Sequence, residues 1–181
     1  MTAREFGLIH VYTGPGKGKT TAAIGQAVRS LGAGMRVIMV NFLKNPNSSE
    51  FNALNRLSPE FKYIIGNQEP RGFYWQLSED QKKAAGQDYR LTWGRVKEIV
   101  DRHQCELLIL DEIMAVIEYG ILTVDSVIEI MKQSRKAHIE LILTGRNAPT
   151  EIMLEADLVT EMIEIKHPFK KGIRARRGIE Y

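Results

Sequence analysis

The segment Thr13-Gly14-Pro15-Gly16-Lys17-Gly18-Lys19-Thr20-Thr21 carries residue types that suit phosphate chemistry. Glycines let backbone N–H groups converge on phosphate oxygens, and a helix beginning directly after them adds partial positive charge. Lys19 can neutralise phosphate charge, and the Thr20 hydroxyl can complete a magnesium shell. Gly14, Pro15, Gly16, Lys17, Gly18, Lys19, Thr20 and Thr21 are therefore candidate nucleotide-binding residues. The run matches the pattern Gly-x-x-x-x-Gly-Lys-Ser/Thr except at its first position, where Thr13 stands. A second group is Asp111-Glu112, a pair of carboxylates closing the apolar run Leu107-Leu108-Ile109-Leu110. A glycine-rich turn alone can bind nothing, and carboxylates at a strand end are commonly solvated. Together they point to a nucleoside triphosphate held with magnesium, with Thr20, Asp111 and Glu112 as candidate metal ligands.

These groups work only if the chain delivers them to one edge of a sheet. Gly7–Tyr12 reads as a strand running into the glycine loop. Ile24, Ala27, Val28 and Leu31 then follow at the spacing of one helix face, stopped by Gly32 and Gly34. Val37–Val40 and Leu107–Leu110 are unbroken apolar runs of the kind found in strands covered on both faces. Phe61–Ile65 and Ile139–Leu143 are further strands, and Asp157–Lys166 is a more alternating one. Phe51, Leu54 and Leu57 suggest a short helix, and Val124, Val127, Ile128 and Met131 another. Ser78-Glu79-Asp80-Gln81 reads as a capping box opening a helix that carries Tyr89, Trp93, Val96 and Val100. Strands alternating with helices predict a three-layer α/β/α P-loop domain with a mostly parallel, RecA-like sheet. Carboxylates at the strand ends then face the ligand crevice. No repeat, low-complexity tract or linker divides the chain, so residues 1–181 are expected to form a single nucleotide-binding domain.

Composition narrows the class further. The 181 residues are 44% apolar and 26% charged, an ordinary globular balance. Lysine and arginine number 25 against 22 acids, a net charge of +3 that argues for neither nucleic acid nor membrane as a partner. One cysteine, Cys105, excludes an intrachain disulfide framework and a cysteine zinc site. No apolar run approaches the ~20 residues that span a bilayer. The first residues lack a signal-peptide core, so a soluble cytoplasmic protein is expected.

Three further segments carry a resemblance. They are Gly72-Phe73-Tyr74-Trp75, Leu143-Thr144-Gly145-Arg146-Asn147-Ala148-Pro149, and the ending Lys166-His167-Pro168-Phe169-Lys170-Lys171-Gly172-Ile173 with Gly178-Ile179-Glu180-Tyr181. With Val11–Thr21 they make the chain, from about Gly7 to Tyr181, similar to the P-loop ATP:corrinoid adenosyltransferases. That family also has threonine where the general phosphate-loop pattern has glycine, so Thr13 fits it. The resemblance implies transfer of the 5′-deoxyadenosyl group of ATP to the cobalt of a reduced corrinoid, with release of triphosphate. Co(I) is itself a strong nucleophile, so the protein must orient ATP and stabilise a highly charged leaving group. Lys19, Thr20 and Glu112 are then the residues that assist the reaction, and the nucleotide lies in the opposite sense to that of most P-loop enzymes. Phe73 and Trp75 match the positions that pack under the corrin, where an apolar wedge removes the lower axial ligand and eases reduction of Co(II). The acceptor is cobalamin, cobinamide or a cobyrinate diamide, the electron donor a flavoprotein, and the assembly a homodimer, all as family expectations.

Weaker signals leave several readings open. Asn41-Phe42-Leu43-Lys44 either touches substrate or ends a strand, and Arg146 either reaches the triphosphate or forms a surface ion pair. The basic tail (Lys166, Lys170, Lys171, Arg174, Arg176 and Arg177) faces ATP, corrin side chains or water. His10 reads as a satisfied core residue and Cys105 as inert packing. The rival functions are a RecA-like ATPase or small-molecule kinase, which releases ADP, and a nucleotide sensor without turnover.

Overall fold

The structure, a computed structural model, describes residues 7–43, 49–66 and 74–179. Its centre is a six-stranded sheet in the order β3-β2-β4-β5-β1-β6, and every strand pairing is parallel. The strands are β1 (Ile9–Thr13), β2 (Val37–Asn41), β3 (Phe61–Ile65), β4 (Leu107–Asp111), β5 (Glu140–Thr144) and β6 (Leu158–Glu161). Between them run α1 (Lys19–Gly32), α2 (Ser49–Leu54), α3 (Glu79–Asp101), α4 (Ile113–Glu118), α5 (Val124–Lys136) and α6 (Thr150–Glu155).

Side-chain alternation along the strands feeds two cores, one on each face. Leu108, Leu110, Leu141 and Leu143 pack with Tyr89, Trp93 and Val96 of α3 and Val127, Ile130 and Met131 of α5. Leu107, Ile109 and Ile142 pack on the other face with Ala23 and Ala27 of α1. The expected three-layer architecture with a parallel sheet is therefore present. The Ser78 capping box is formed, with the Gln81 N–H donating to Ser78 Oγ at 3.3 Å and the Ser78 N–H to Gln81 Oε1 at 2.9 Å.

Two details depart from the sequence reading. The face that α1 buries is Lys19, Ala23, Ala27 and Ser30, while Val28 is 51% exposed. Small residues let α1 lie close to the sheet, so the larger apolar residues fall at the margin. The last strand stops at Glu161, well short of Lys166. At its end the Met162 N–H donates to the Thr13 carbonyl at 2.8 Å, and the Met162 carbonyl accepts from the Gly16 N–H at 2.7 Å. The chain thus turns against the glycine loop in place of extending the strand. His10 is half-buried and satisfied, its Nε2 2.8 Å from Glu140 Oε1. Cys105 is buried, and burial pushes its thiol up to about 12, which suits inert packing.

Candidate active site

The glycine loop leaves β1 at the carboxyl edge of the sheet and delivers Lys19 as the first residue of α1. Its conformation needs glycine at two points, Gly14 at φ 97 and Gly18 at φ 122, in the left-handed region. Gly16 is required for a different reason. A Cβ there would stand 2.7 Å from the Met162 carbonyl oxygen and 2.9 Å from the Ile163 backbone. The Gly16 N–H is also engaged by Met162, so this glycine serves close packing under the loop. Thr13 has a role of its own: its Oγ1 accepts the Ala148 N–H at 3.3 Å, tying the loop to the segment that carries Arg146.

Lys19 is 6% exposed, and its Nζ donates to the Gly14 carbonyl at 2.7 Å and the Gly16 carbonyl at 2.9 Å. Burial holds its ammonium below the ordinary lysine range, the Glu112 carboxylate opposes that shift, and the positive Arg146 adds to it. A cation held under strain of desolvation gains from an incoming polyanion.

Asp111 and Glu112, adjacent in sequence, separate into different environments. Asp111 is fully buried, one oxygen accepting from Asn41 Nδ2 at 2.6 Å and the other from the Thr144 hydroxyl at 2.6 Å. Thr144 Oγ1 in turn accepts the Glu112 N–H at 3.0 Å. Glu112 adopts the left-handed conformation at φ 61, ψ 27, sparsely populated for residues other than glycine and often found at functional sites. Gly145, with φ 148, lies so close to α4 that a Cβ would stand 2.6 Å from Met114 Cβ. The strand ends of β2, β4 and β5 thus fix the backbone turn that presents Glu112.

A cavity of about 660 Å³ collects these groups. Pro15, Gly16, Lys17, Gly18, Lys19, Thr20, Thr21, Glu112 and Arg146 all line it. A space of this size suits a nucleotide. Arg146 therefore joins the phosphate loop. Asn41 serves as a strand-end anchor for Asp111. Its neighbour Phe42 is fully buried, 6.4 Å from the Tyr89 ring, and Lys44 lies outside the described residues. Of the aromatic pair, Phe73 lies outside the described residues. Trp75 contributes backbone to the turn Tyr74–Gln76, and its side chain also lies outside the description. The turn itself is anchored, since the Tyr74 ring stacks on Tyr119 with centroids 3.9 Å apart and planes at 10°.

Other residues also line the cavity: Glu50, which the sequence leaves unmarked, Ile24, read from the sequence as part of a helix face, and His167, Gly178 and Ile179, which it marks as part of the resemblance without a role. Nor does the sequence show Thr144 as the link between the two acids. No local pattern gives these residues a place at the site, because the contacts join segments far apart in the chain. The basic tail divides: Lys166, Lys170 and Lys171 line a neighbouring cavity with Ile165 and Ile173, while His167 touches both spaces. Among the described residues no group of three or more His, Cys, Asp or Glu side chains is arranged to hold a metal ion. No described helix is long and apolar enough to cross a membrane.

Comparison with solved structures finds the fold in the flagellar accessory protein FlaH from Methanocaldococcus jannaschii. The TM-score is 0.58 at 18% identity, covering 86% of this chain and 71% of that one, a likeness of fold alone. Curated relatives are closer in sequence. A corrinoid adenosyltransferase from Escherichia coli K12 is 34% identical over 179 residues, spanning 98% of this chain and 87% of its own length. Corrinoid adenosyltransferase CobA from Salmonella typhimurium is 35% identical with the same coverage. A corrinoid adenosyltransferase from Sinorhizobium is 34% identical over 182 residues, 98% of this chain and 81% of its own. The profile of the ATP:corrinoid adenosyltransferases BtuR/CobO/CobP matches residues 5–181, nearly the whole chain. With its phosphate loop, Glu112 and Arg146 gathered at one cavity, the chain belongs to the ATP:corrinoid adenosyltransferase family.

Proposed function

We propose that the P-loop cavity is where this chain carries out the family's reaction, holding ATP so that C5′ is open to the cobalt of a reduced corrinoid. The Co(I) electron pair attacks C5′, the Co–C bond forms, and the C5′–O bond breaks with its electrons leaving on triphosphate. The attacking centre belongs to the substrate, so the protein needs no nucleophile of its own. Its tasks are to orient C5′ and to stabilise the departing polyanion. Lys19, Lys17, Arg146 and the loop around Gly18 suit the second task. The observation that carries this reading is the convergence of Lys19, Thr20, Glu112 and Arg146 on one cavity.

Magnesium fits the same wall. Thr20 and Glu112 offer hard oxygen donors on the cavity, and magnesium is usually held by one or two protein oxygens together with substrate phosphates and water. When bound, it would neutralise charge on the triphosphate. Asp111, enclosed by Asn41 and Thr144, is suited to positioning Glu112. Phe73 and Trp75 are assigned to the lower face of the corrin, where they exclude an axial ligand. The remaining assignments follow the family: cobalamin, cobinamide or a cobyrinate diamide as acceptor, a flavoprotein as electron donor, a homodimer in the cytoplasm. Release of ADP by an ATPase or kinase is not favoured.

The test is incubation with MgATP and each chemically reduced corrinoid, followed by the visible spectrum. Conversion of at least one acceptor to its alkylcobalt spectrum is expected. No conversion of any of the three would refute the assignment.

A further inference from the structure

The geometry points to His167 as a phosphate-binding residue of the cavity, donating its Nε2–H to the triphosphate. The inference rests on the P-loop cavity being the ATP site. The segment after β6 is tied to the phosphate loop at both ends. Met162 exchanges backbone hydrogen bonds with Thr13 and Gly16, and Lys17 Nζ donates to the Ile179 carbonyl at 2.7 Å. Between these ties the chain passes along the cavity and makes the short turn Pro168–Lys171, with His167 as its N-cap. His167 is half-buried and lines the same cavity as Lys17, Lys19, Thr20 and Arg146.

The hydrogen bond that His167 makes within the turn decides what it offers to a ligand. Its Nδ1 accepts the Phe169 N–H at 3.2 Å. A ring nitrogen that accepts carries no proton, so the neutral imidazole bears its proton on Nε2 and is a donor there. Glu50 and Glu112 also line the cavity, yet Lys17, Lys19 and Arg146 set the chemistry of its anion-binding side. A triphosphate has oxygens to accept a further N–H, and hydrogen bonds to a charged acceptor are among the stronger ones. The turn therefore fixes one tautomer, and the two ties hold His167 at the cavity wall.

Two substitutions separate the two nitrogens. His167→Asn keeps an acceptor where Nδ1 is, since asparagine is a good N-cap, but lacks the reach of Nε2. His167→Gln keeps a donor near Nε2 and gives up the cap. Affinity is measured by calorimetry for MgATP and for inorganic triphosphate with magnesium, with Lys19→Ala as the reference for losing the phosphate site. His167→Asn should melt near wild type and weaken both ligands about tenfold, while His167→Gln stays within about threefold. Should the Asn variant misfold, His167→Leu replaces it and must show the same loss. If His167→Asn binds triphosphate within twofold of wild type while Lys19→Ala has lost it, the proposal is wrong. Weakened ATP with unchanged triphosphate would also overturn it, because the contact would then be to the nucleoside. If Lys19→Ala also binds both ligands normally, the ATP-site reading itself fails.

Discussion

Replacing Thr144 by valine removes one hydroxyl at the point where the two acids are joined. Valine has nearly the same shape and the same liking for a strand, so the packing of a fully buried side chain is kept. The hydroxyl makes two bonds: it donates to Asp111 at 2.6 Å and accepts the Glu112 N–H at 3.0 Å. A bond to a charged acceptor contributes about 1.5–3 kcal/mol and a neutral one about 1 kcal/mol. The added methyl returns roughly 0.8 kcal/mol. The net loss is therefore about 2–3 kcal/mol, read in urea unfolding, or about 5–10 °C in Tm for a chain of this size. Thr144→Ser, which keeps the hydroxyl and loses a methyl, should cost about 1 kcal/mol. Turnover should separate the two variants further, because only valine frees Glu112 from its left-handed turn. A drop of about tenfold or more in adenosylation is expected for Val and near-normal rates for Ser. If Thr144→Val unfolds within 0.5 kcal/mol of wild type and turns over normally, the Asp111–Thr144–Glu112 chain does not position the site.

Asp111→Asn leaves one buried oxygen where two donors converge and should destabilise the fold by about 2–4 kcal/mol, whereas Glu112→Gln should leave stability unchanged and lower magnesium-dependent turnover; equal stability of the two variants would contradict the division. Gly14→Ala places a Cβ 2.5 Å from the Met162 carbonyl at φ 97 and should abolish MgATP binding in calorimetry, so normal affinity would refute the packing argument. Phe73→Ala and Trp75→Ala should bind MgATP like wild type and fail to adenosylate from Co(II) under a weak reductant, with much of the rate returning from pre-reduced Co(I). Normal rates from Co(II) would remove the wedge assignment. Burial raises the Asp157 carboxyl, but the Ile9 N–H at 2.8 Å and the Arg135 guanidinium outweigh it and hold it below its ordinary 3.8. The stability it contributes is present above that ordinary value and is lost as pH falls through the lower folded value. Asp157→Asn should flatten the acid limb of Tm against pH, and an unchanged limb would contradict the shift.

What the sequence displayed and what it hid divide along the range of the interactions. Strand centres such as Val37–Val40 and Leu107–Leu110 are legible because both faces are buried and the apolar run is continuous. The capping box at Ser78 is legible because its partners are three residues apart. The phosphate loop is legible because its chemistry demands fixed residue types at fixed spacing. The buried face of α1 shares Ala27 with the apolar spacing but shifts toward Ala23 and away from Val28, because proximity to the sheet selects small residues over bulk. The end of β6 was misplaced because Met162 is claimed by a loop nearly 150 residues earlier, which no alternation pattern records. The helices α4 and α6 have six residues each, too short to show a period. Within the site, the family resemblance sets Glu112 apart from Asp111, but nothing local shows that their surroundings differ. Asn41 and Thr144, 70 and 33 residues away from Asp111, are what give them different surroundings.

The central claim is that the bond broken in ATP is C5′–O and that the three phosphates leave together. Phosphorus NMR of a reaction with MgATP and a Co(I) corrinoid tests it directly. Inorganic triphosphate is expected, equimolar with adenosylated corrinoid and absent when the corrinoid is omitted. ADP with orthophosphate as the primary products, at any yield of corrinoid, would contradict it.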